Sequence, residues 1–388
     1  MDSNSLWFQK TMVNNGQNKD YAARVFKRMS LLMRVSELVV GNAPLVEQTR
    51  EIARLVREAF GVKACGMREM RPDGLHLLGV SGFAEEAHPK IMDPRVGIAA
   101  RMITDRRPFA VLDVPNDPTT APYHNRNPRI DFRGYAGAPM IVHDEIVGIL
   151  GIYTEEPLKD FADEDLSHLQ VVANHVGTAI LNARLYRELS DAYDRTLEGW
   201  STALEYRDSE TKGHTMRVAN LTVSLARAMG WSEDEIVHLR RGALLHDIGK
   251  MAIPDSILLK PGPLTDDERR LMRTHTERAR EMLQPIEFLR PALDIPVNHH
   301  ERWDGSGYPR GLRRHSIPPA ARLFAVVDVW DALSTDRPYR KAMPAEEARD
   351  YLRENSDVLF EKHVVEKFLE LEPQDEQMGV SENPTTVD

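Results

Sequence analysis

Between residues 210 and 331 the chain sets out Glu210, His214, the pair His246-Asp247, His275, the pair His299-His300, Asp328 and Asp331. Imidazole nitrogens and carboxylate oxygens suit a multi-metal centre, and a set without thiolates suits iron, manganese or zinc. The chemistry such a centre performs is metal-assisted hydrolysis. His246-Asp247 can address two ions, because a carboxylate has two oxygens and can bridge while an imidazole ligates one. Asp328 and Asp331 stand three apart in the apolar run Ala325 to Leu333, on one face of a helix. Two carboxylates buried there would cost several kcal/mol unless a cation sat between them, or unless Arg322 or Arg337 neutralised them. Glu210 and His214 share a face if the helix is continuous, but Gly213 allows a turn instead that delivers both inward.

Around these residues the apolar spacing reads as helix. Ile236 to Leu245 is an apolar helical run that leaves His246-Asp247 at a helix end, and Leu271 to Arg278, which carries His275, is also helical. His299-His300 opens a glycine-rich stretch with no regular period. Upstream, the long segment from Asp163 to about Glu205 is nearly free of proline. Among its apolar residues from Leu166 to Leu197 a seven-residue rhythm persists over part of the run, which suggests a parallel two-helix connector and hence a dimer. Earlier still, two helices are expected, over 20–40 and 45–60. Short apolar stretches then follow at Lys63 to Met70, Leu75 to Val80, Phe109 to Asp113, Ala136 to Val142 and Ile146 to Tyr153. Pro-Asp-Gly, Asn-Asp-Pro and His-Asp-Glu turn signals separate them, as in an antiparallel sheet flanked by helices.

At 388 residues the chain exceeds one ordinary core and implies two folded units. A formal net charge of -10 disfavours binding to a nucleic-acid polymer, though a local basic pocket for a small anion remains compatible with it. The first twenty residues lack the pattern of a signal peptide, and no stretch approaches the ~20 apolar residues of a membrane span. The one cysteine, Cys65, excludes a disulfide framework and fits a reducing compartment, so a cytoplasmic protein is expected. Cys65 reads as a buried strand residue, and His76, His124 and His143 as loop histidines.

Two resemblances add to this reading. The order Arg107-Pro-Phe-Ala-Val-Leu-Asp-Val, Gly137-Ala-Pro-Met-Ile-Val, Ile146-Val-Gly-Ile-Leu-Gly-Ile-Tyr and Phe161-Ala-Asp-Glu-Asp-Leu resembles a GAF domain over 30–182. GAF domains bind small ligands or serve as dimerisation modules. The motifs Leu245-His-Asp-Ile-Gly-Lys, Ile253 to Thr265, His299-His-Glu-Arg-Trp-Asp-Gly-Ser-Gly-Tyr-Pro and Asp328-Val-Trp-Asp-Ala-Leu-Ser-Thr-Asp-Arg-Pro-Tyr-Arg resemble the HD-GYP branch of the HD phosphohydrolases over 196–371. The expected protein is multidomain, α+β followed by all-α. An N-terminal segment 1–29 leads into a GAF-like antiparallel sheet with helices, a long connecting helix 163–205, an all-helical HD-type domain, and a disordered tail 372–388.

The second resemblance implies hydrolysis of cyclic di-GMP to pGpG and in some members to GMP. It implies two or three divalent ions, iron foremost with manganese as the alternative. Glu210, His214, His246, Asp247, His275, His299, His300 and Asp328 fall on its metal-binding pattern, with Asp331 a further candidate; Glu210 is the residue that argues for a third ion. Asp247 and Lys250 are the catalytic candidates. Lys250, Arg337 and Arg340 match phosphate-holding positions, and Tyr308, in the Gly305 to Pro309 loop, faces substrate, packs the site wall or meets GGDEF-domain proteins. Ala279, where glycine is common, and Phe360-Glu-Lys depart from the pattern without touching a ligand position. The competing readings are a receptor that binds cyclic di-GMP without turnover and an HD phosphohydrolase of another nucleotide.

Overall fold

The structure is a computed structural model, and it describes residues 26–41, 43–82, 89–118, 120–121, 132–158, 161–208, 213–336 and 340–371. Glu210, Arg337, His124, most of the expected N-terminal segment and the tail 372–388 lie outside the described residues. The chain divides into two units, Met1–Leu189 and Ser190–Asp388.

In the first unit a helix over 26–40 (α1) and α2 (Leu45–Phe60) precede the strands β1 (Ala64–Arg71), β2 (Gly74–Ser81) and β3 (Ile91–Met92). Then come α3 (Gly97–Asp105), β4 (Phe109–Val111), β5 (Gly134–Val142), β6 (Glu145–Thr154) and α4 (Asp163–Asp208). The sheet runs β3-β2-β1-β6-β5-β4, with every pair antiparallel. Strand alternation sorts its side chains into two clusters. Met67, Leu150 and Ile152 pack with Leu31 and Val35 of α1, Ile52 and Val56 of α2, and Leu169, Val172, Val176 and Ile180 of α4. Each such side chain, fully buried, contributes about 1.5–3 kcal/mol. Phe109, Phe132, Tyr135 and Ile149 form the other cluster with Met102 of α3.

The strand expectations fall on five of these elements. The two-residue β3 and the nine-residue α3 were not expected, being too short and too weakly periodic to announce themselves. β5 and β6 are joined by His143 and Asp144, both at positive φ (46° and 63°), the geometry whose twist matches a hairpin. Cys65 is fully buried on β1, and burial pushes its thiol pKa up.

The second unit is helical. After the last part of α4 come α5 (His214–Ala228), α6 (Glu233–Leu244), a 3-10 turn (Ile248–Ala252), α7 (Asp255–Leu258), α8 (Asp266–Arg273), α9 (His275–Leu283), α10 (Asp294–Asn298), α11 (Pro319–Ser334), α12 (Ala345–Glu354) and α13 (Lys362–Leu371). Capping boxes start two of them, Ser232 with Glu235 on α6 and Thr265 with Glu268 on α8. Leu197, Val218, Leu239, Leu244, Phe324, Val327, Leu352 and Phe368 belong to one core that fixes where the helix ends point.

The 46-residue α4 is about 69 Å long at 1.5 Å per residue. Its early apolar residues are buried in the first unit and Leu197 and Leu204 are buried later, while Leu185, Tyr186 and Leu189 between them are exposed.

Candidate metal centre

His214 is the first residue of α5, His275 the first of α9, His299 the residue that ends α10, and Asp328 lies within α11. His246 and Asp247 occupy the break between α6 and the 3-10 turn. Helix ends are where a chain changes direction, so this core can aim side chains from five segments at one place. Of the two alternatives for Glu210 and His214, a continuous helix or a turn at Gly213, the continuous helix does not hold. α4 stops at Asp208 and α5 begins at His214, with Gly213 at φ 74° turning the chain. The carboxylate of Glu205 accepts from the main-chain N–H of Gly213 (3.0 Å) and of Thr215 (2.8 Å), so it caps the helix that His214 opens.

Two groups of ligand atoms result. Asp247, His275, His299 and His300 form one, and His214, His246 and Asp328 the other, each with its atoms within 4.8 Å of one another. Asp247 faces both groups. Its Oδ1 lies 3.4 Å from His275 Nε2 and 3.7 Å from His299 Nε2, and its Oδ2 lies 3.2 Å from His246 Nε2. In the second group His214 Nε2 is 3.6 Å from Asp328 Oδ1. Phe324 of α11 lies under both groups, its ring 5.0 Å from His246 and 6.0 Å from His299.

The other nitrogen of four rings is committed elsewhere. Nδ1 of His246 lies 2.8 Å from Ala243 O, that of His275 2.8 Å from Met272 O, and that of His299 3.1 Å from Ile295 O. A carbonyl can only accept, so the proton sits on Nδ1 and Nε2 presents a lone pair to the site. His214 Nδ1 is held by Asp331 Oδ2 at 2.7 Å. Burial, with crowding by the neighbouring imidazoles, lowers the pKa of His275, His299 and His300, the last to about 3. These rings are therefore neutral at neutral pH and offer lone pairs that could hold a metal ion. Burial alone would raise the Asp247 carboxyl, but Lys250 and His246 outweigh it and hold it well below the usual range. Asp247 Oδ1 is buried and has no hydrogen-bond partner. An ionised buried oxygen left orphaned among imidazole nitrogens is costly without a cation, so the donor set fits divalent metal ions.

Asp331, expected among the ligands, belongs to neither group. Both its oxygens are taken, by His214 Nδ1 and by Arg217, whose Nε donates at 2.8 Å and Nη2 at 3.0 Å. These bonds outweigh burial and bring its carboxyl to about 2. The cation beside it is thus Arg217 on α5, a residue the sequence reading passed over, while Arg322 pairs with Glu361 instead. Lys250 Nζ sits 2.6 Å from Asp247 Oδ2 and 3.1 Å from Asp208 Oδ2, at the edge of the centre. Arg340 is exposed and donates to Ala332 O. Tyr308 stacks on His300 at 4.5 Å between centroids and 27° between planes.

Two glycines permit this assembly. A Cβ on Gly249 would strike His275 O and come within 2.7 Å of the Ala279 nitrogen, so the turn after Asp247 packs directly on α9. Ala279, the departure from the family pattern, is fully buried there without disturbing the ligands. On Gly307 a Cβ would meet His300 O and Glu301 Cα at 2.5 Å. The loop is pinned from the other side by Glu301, whose carboxylate accepts from Arg310 N and Leu312 N.

Comparison with known proteins agrees with both resemblances. The GAF domain model matches residues 44–180 and the HD domain model residues 200–364. A cyclic di-GMP phosphodiesterase of Thermotoga maritima is 44% identical over 191 residues, 48% of this chain and 51% of that protein. The cyclic di-GMP phosphodiesterase response regulator RpfG of Xanthomonas campestris pv. campestris is 40% identical over 203 residues, 51% of this chain and 54% of that protein. A 3′3′-cGAMP-specific phosphodiesterase 2 of Vibrio cholerae is 35% identical over 214 residues, 55% of this chain and 41% of that protein. The chain thus spans about half the length of the curated relatives it matches. Sheet order and the two family matches together make this a protein with a GAF domain followed by an HD domain.

Proposed function

We propose that the protein hydrolyses cyclic di-GMP to linear pGpG, with GMP as a further product, using two or three divalent ions held by its HD domain. The observation that carries this reading is the Asp247 carboxylate, which turns one oxygen to each ligand group and leaves Oδ1 without a protein partner. Asp247, His275, His299 and His300 would hold one ion and His214, His246 and Asp328 another, with Asp247 shared; a third would draw on Glu210. Iron is the first candidate and manganese the second, since both accept nitrogen-rich sets. Such ions, when bound, would neutralise charge on the phosphoryl oxygens and would bring the pKa of a water toward neutral.

The chain's own residues do the rest. Main-chain carbonyls and Asp331 hold the imidazoles in the tautomer that ligates. Lys250, steadied by Asp208, offers a positive charge or a proton to a leaving oxygen. Tyr308 forms the wall beside His300 and, with Arg337 and Arg340, contributes to substrate binding. A net charge of -10 favours a small cyclic diester over a polymer.

The same reading makes the GAF domain the regulator, through a small ligand or through contacts, with GGDEF-domain proteins as partners at the Gly305 to Pro309 loop. It also makes the protein a homodimer along α4, where the exposed Leu185, Tyr186 and Leu189 support pairing. No helix among the described residues is long and apolar enough to cross a membrane. The test is turnover of cyclic di-GMP and of 3′3′-cGAMP by anaerobically purified protein, with elemental analysis of the same sample. Hydrolysis of cyclic di-GMP at two to three ions per chain, abolished by His246→Ala, is expected. Metal at that level without hydrolysis transfers the reading to a receptor, and preference for 3′3′-cGAMP, on which a named relative acts, transfers it to the other nucleotide.

A further inference from the structure

Several cations among the described residues near the ligand groups are engaged by carboxylates. Lys250 is held by Asp247 and Asp208, Arg217 by Asp331, and Arg207 by Asp255. On α8, Arg269 pairs with Asp266 and Arg270 with Asp267. Arg273, in the last turn of the same helix and two residues before His275, differs. It is exposed, and no described carboxylate lies within 4.0 Å of it. Its guanidinium instead lies 5.0 Å from the ring centroid of Tyr308, the ring that stacks on His300 and stands edge-on to His275 at 6.3 Å. An ion-paired arginine gains little from a surface carboxylate, whereas one parked on an aromatic ring keeps its five donors for a ligand.

A cyclic dinucleotide carries two phosphodiesters, and hydrolysis opens one of them with water. The other is an anion that must be placed at the rim of the centre, where water no longer fully solvates it. A guanidinium offers a phosphate two parallel N–H donors at fixed spacing. Resting on the cyclic-dinucleotide reading above, we propose that Arg273 binds the second, non-scissile phosphodiester of the substrate, with Tyr308 holding the guanidinium in place. Nothing in the sequence marks it, because arginine in the last turn of a helix is the ordinary complement to the helix dipole.

The experiment measures wild type, Arg273→Ala, Arg273→Lys and the control Arg269→Ala, all as full-length metal-loaded protein. Substrates are cyclic di-GMP, 3′3′-cGAMP, and bis(p-nitrophenyl) phosphate, a diester with no second phosphate and no base. Losing a charge-assisted pair is expected to lower kcat/KM of Arg273→Ala roughly tenfold to a hundredfold on both cyclic dinucleotides, mainly through KM. Rates on bis(p-nitrophenyl) phosphate should stay at the wild-type value, Arg273→Lys should recover part of the loss, and Arg269→Ala should match wild type. Equal losses on all three substrates would assign Arg273 a structural role through Tyr308 and overturn the proposal. So would no loss on any, or a loss confined to one dinucleotide, which would mean a contact to a base. Wild-type protein that cleaves bis(p-nitrophenyl) phosphate but neither dinucleotide would overturn the functional reading, and this inference with it.

Discussion

Glu69 and Asp247 are both buried carboxylates, 1% and 7% exposed, one in each unit of the chain, and they are treated in opposite ways. Glu69, on β1, is met from several sides by arginine: Arg71 at 2.6 Å, and Arg184 and Arg187 of α4 at 3.6 and 3.8 Å. Its charge is answered inside the protein, and its work is to fasten a strand to a helix. Asp247 has Lys250 on Oδ2 but only neutral imidazoles around Oδ1, which makes no hydrogen bond. Buried charge therefore becomes informative about function when the fold stops short of satisfying it.

The hardest test of that contrast is to remove Asp247. Asp247→Ala should bring hydrolysis down to the chelator-treated background and strip metal from both ligand groups, read by elemental analysis; retention of both ions would refute the shared-carboxylate geometry. Next comes Asp331→Asn, which keeps the shape of the side chain but weakens the hold on His214 Nδ1. Loss of such an outer partner typically costs 10–100-fold in metal affinity, so roughly that decrease is expected for the ion at His214, by competition with a chelator. An unchanged affinity would return Asp331 to a purely structural place.

Protons should compete with metal for the same reason that Oδ1 is left open. An unperturbed histidine titrates near 6.5, while in the fold burial and neighbouring imidazoles put His275 and His299 lower and His300 at about 3. Below 6.5 the unfolded chain binds more of these protons than the folded one, so stability of metal-free protein falls as the pH falls. The slope is about 1.4 kcal/mol per pH unit for each such histidine, measured by urea unfolding. A flat profile through that window would mean that the rings are charged in the fold. The smallest effect is expected in the first unit. Because Arg71, Arg184 and Arg187 keep partial solvent contact, Glu69→Gln should destabilise by only about 1 kcal/mol, with metal content unchanged.

Sequence alone named most of the histidines and aspartates that the fold brings into the two groups, because histidine and aspartate in motif order are local information. It also showed α2, whose apolar spacing matches its observed bounds at Leu45–Phe60. What it could not show were the partners supplied by folding. Asp331 meets His214 across 117 positions, Lys250 meets Asp208 across 42, and no spacing rule connects them. Between a continuous helix and a turn before His214 the sequence could not choose, and one glycine at positive φ, held by Glu205, restarts the chain there. β3 and α3 were missed for lack of length.

The ring-nitrogen contacts carry a last consequence, for how this centre tolerates mutation. His246, His275 and His299 take their Nδ1 acceptors from carbonyls three or four residues earlier in their own helical turns. Their tautomers are inherited from main-chain geometry, which no side-chain replacement elsewhere can rewrite. His214 alone among the four depends on a side chain, 117 positions away, so heritable drift in which nitrogen faces the metal can enter the centre through Asp331 and its partner Arg217.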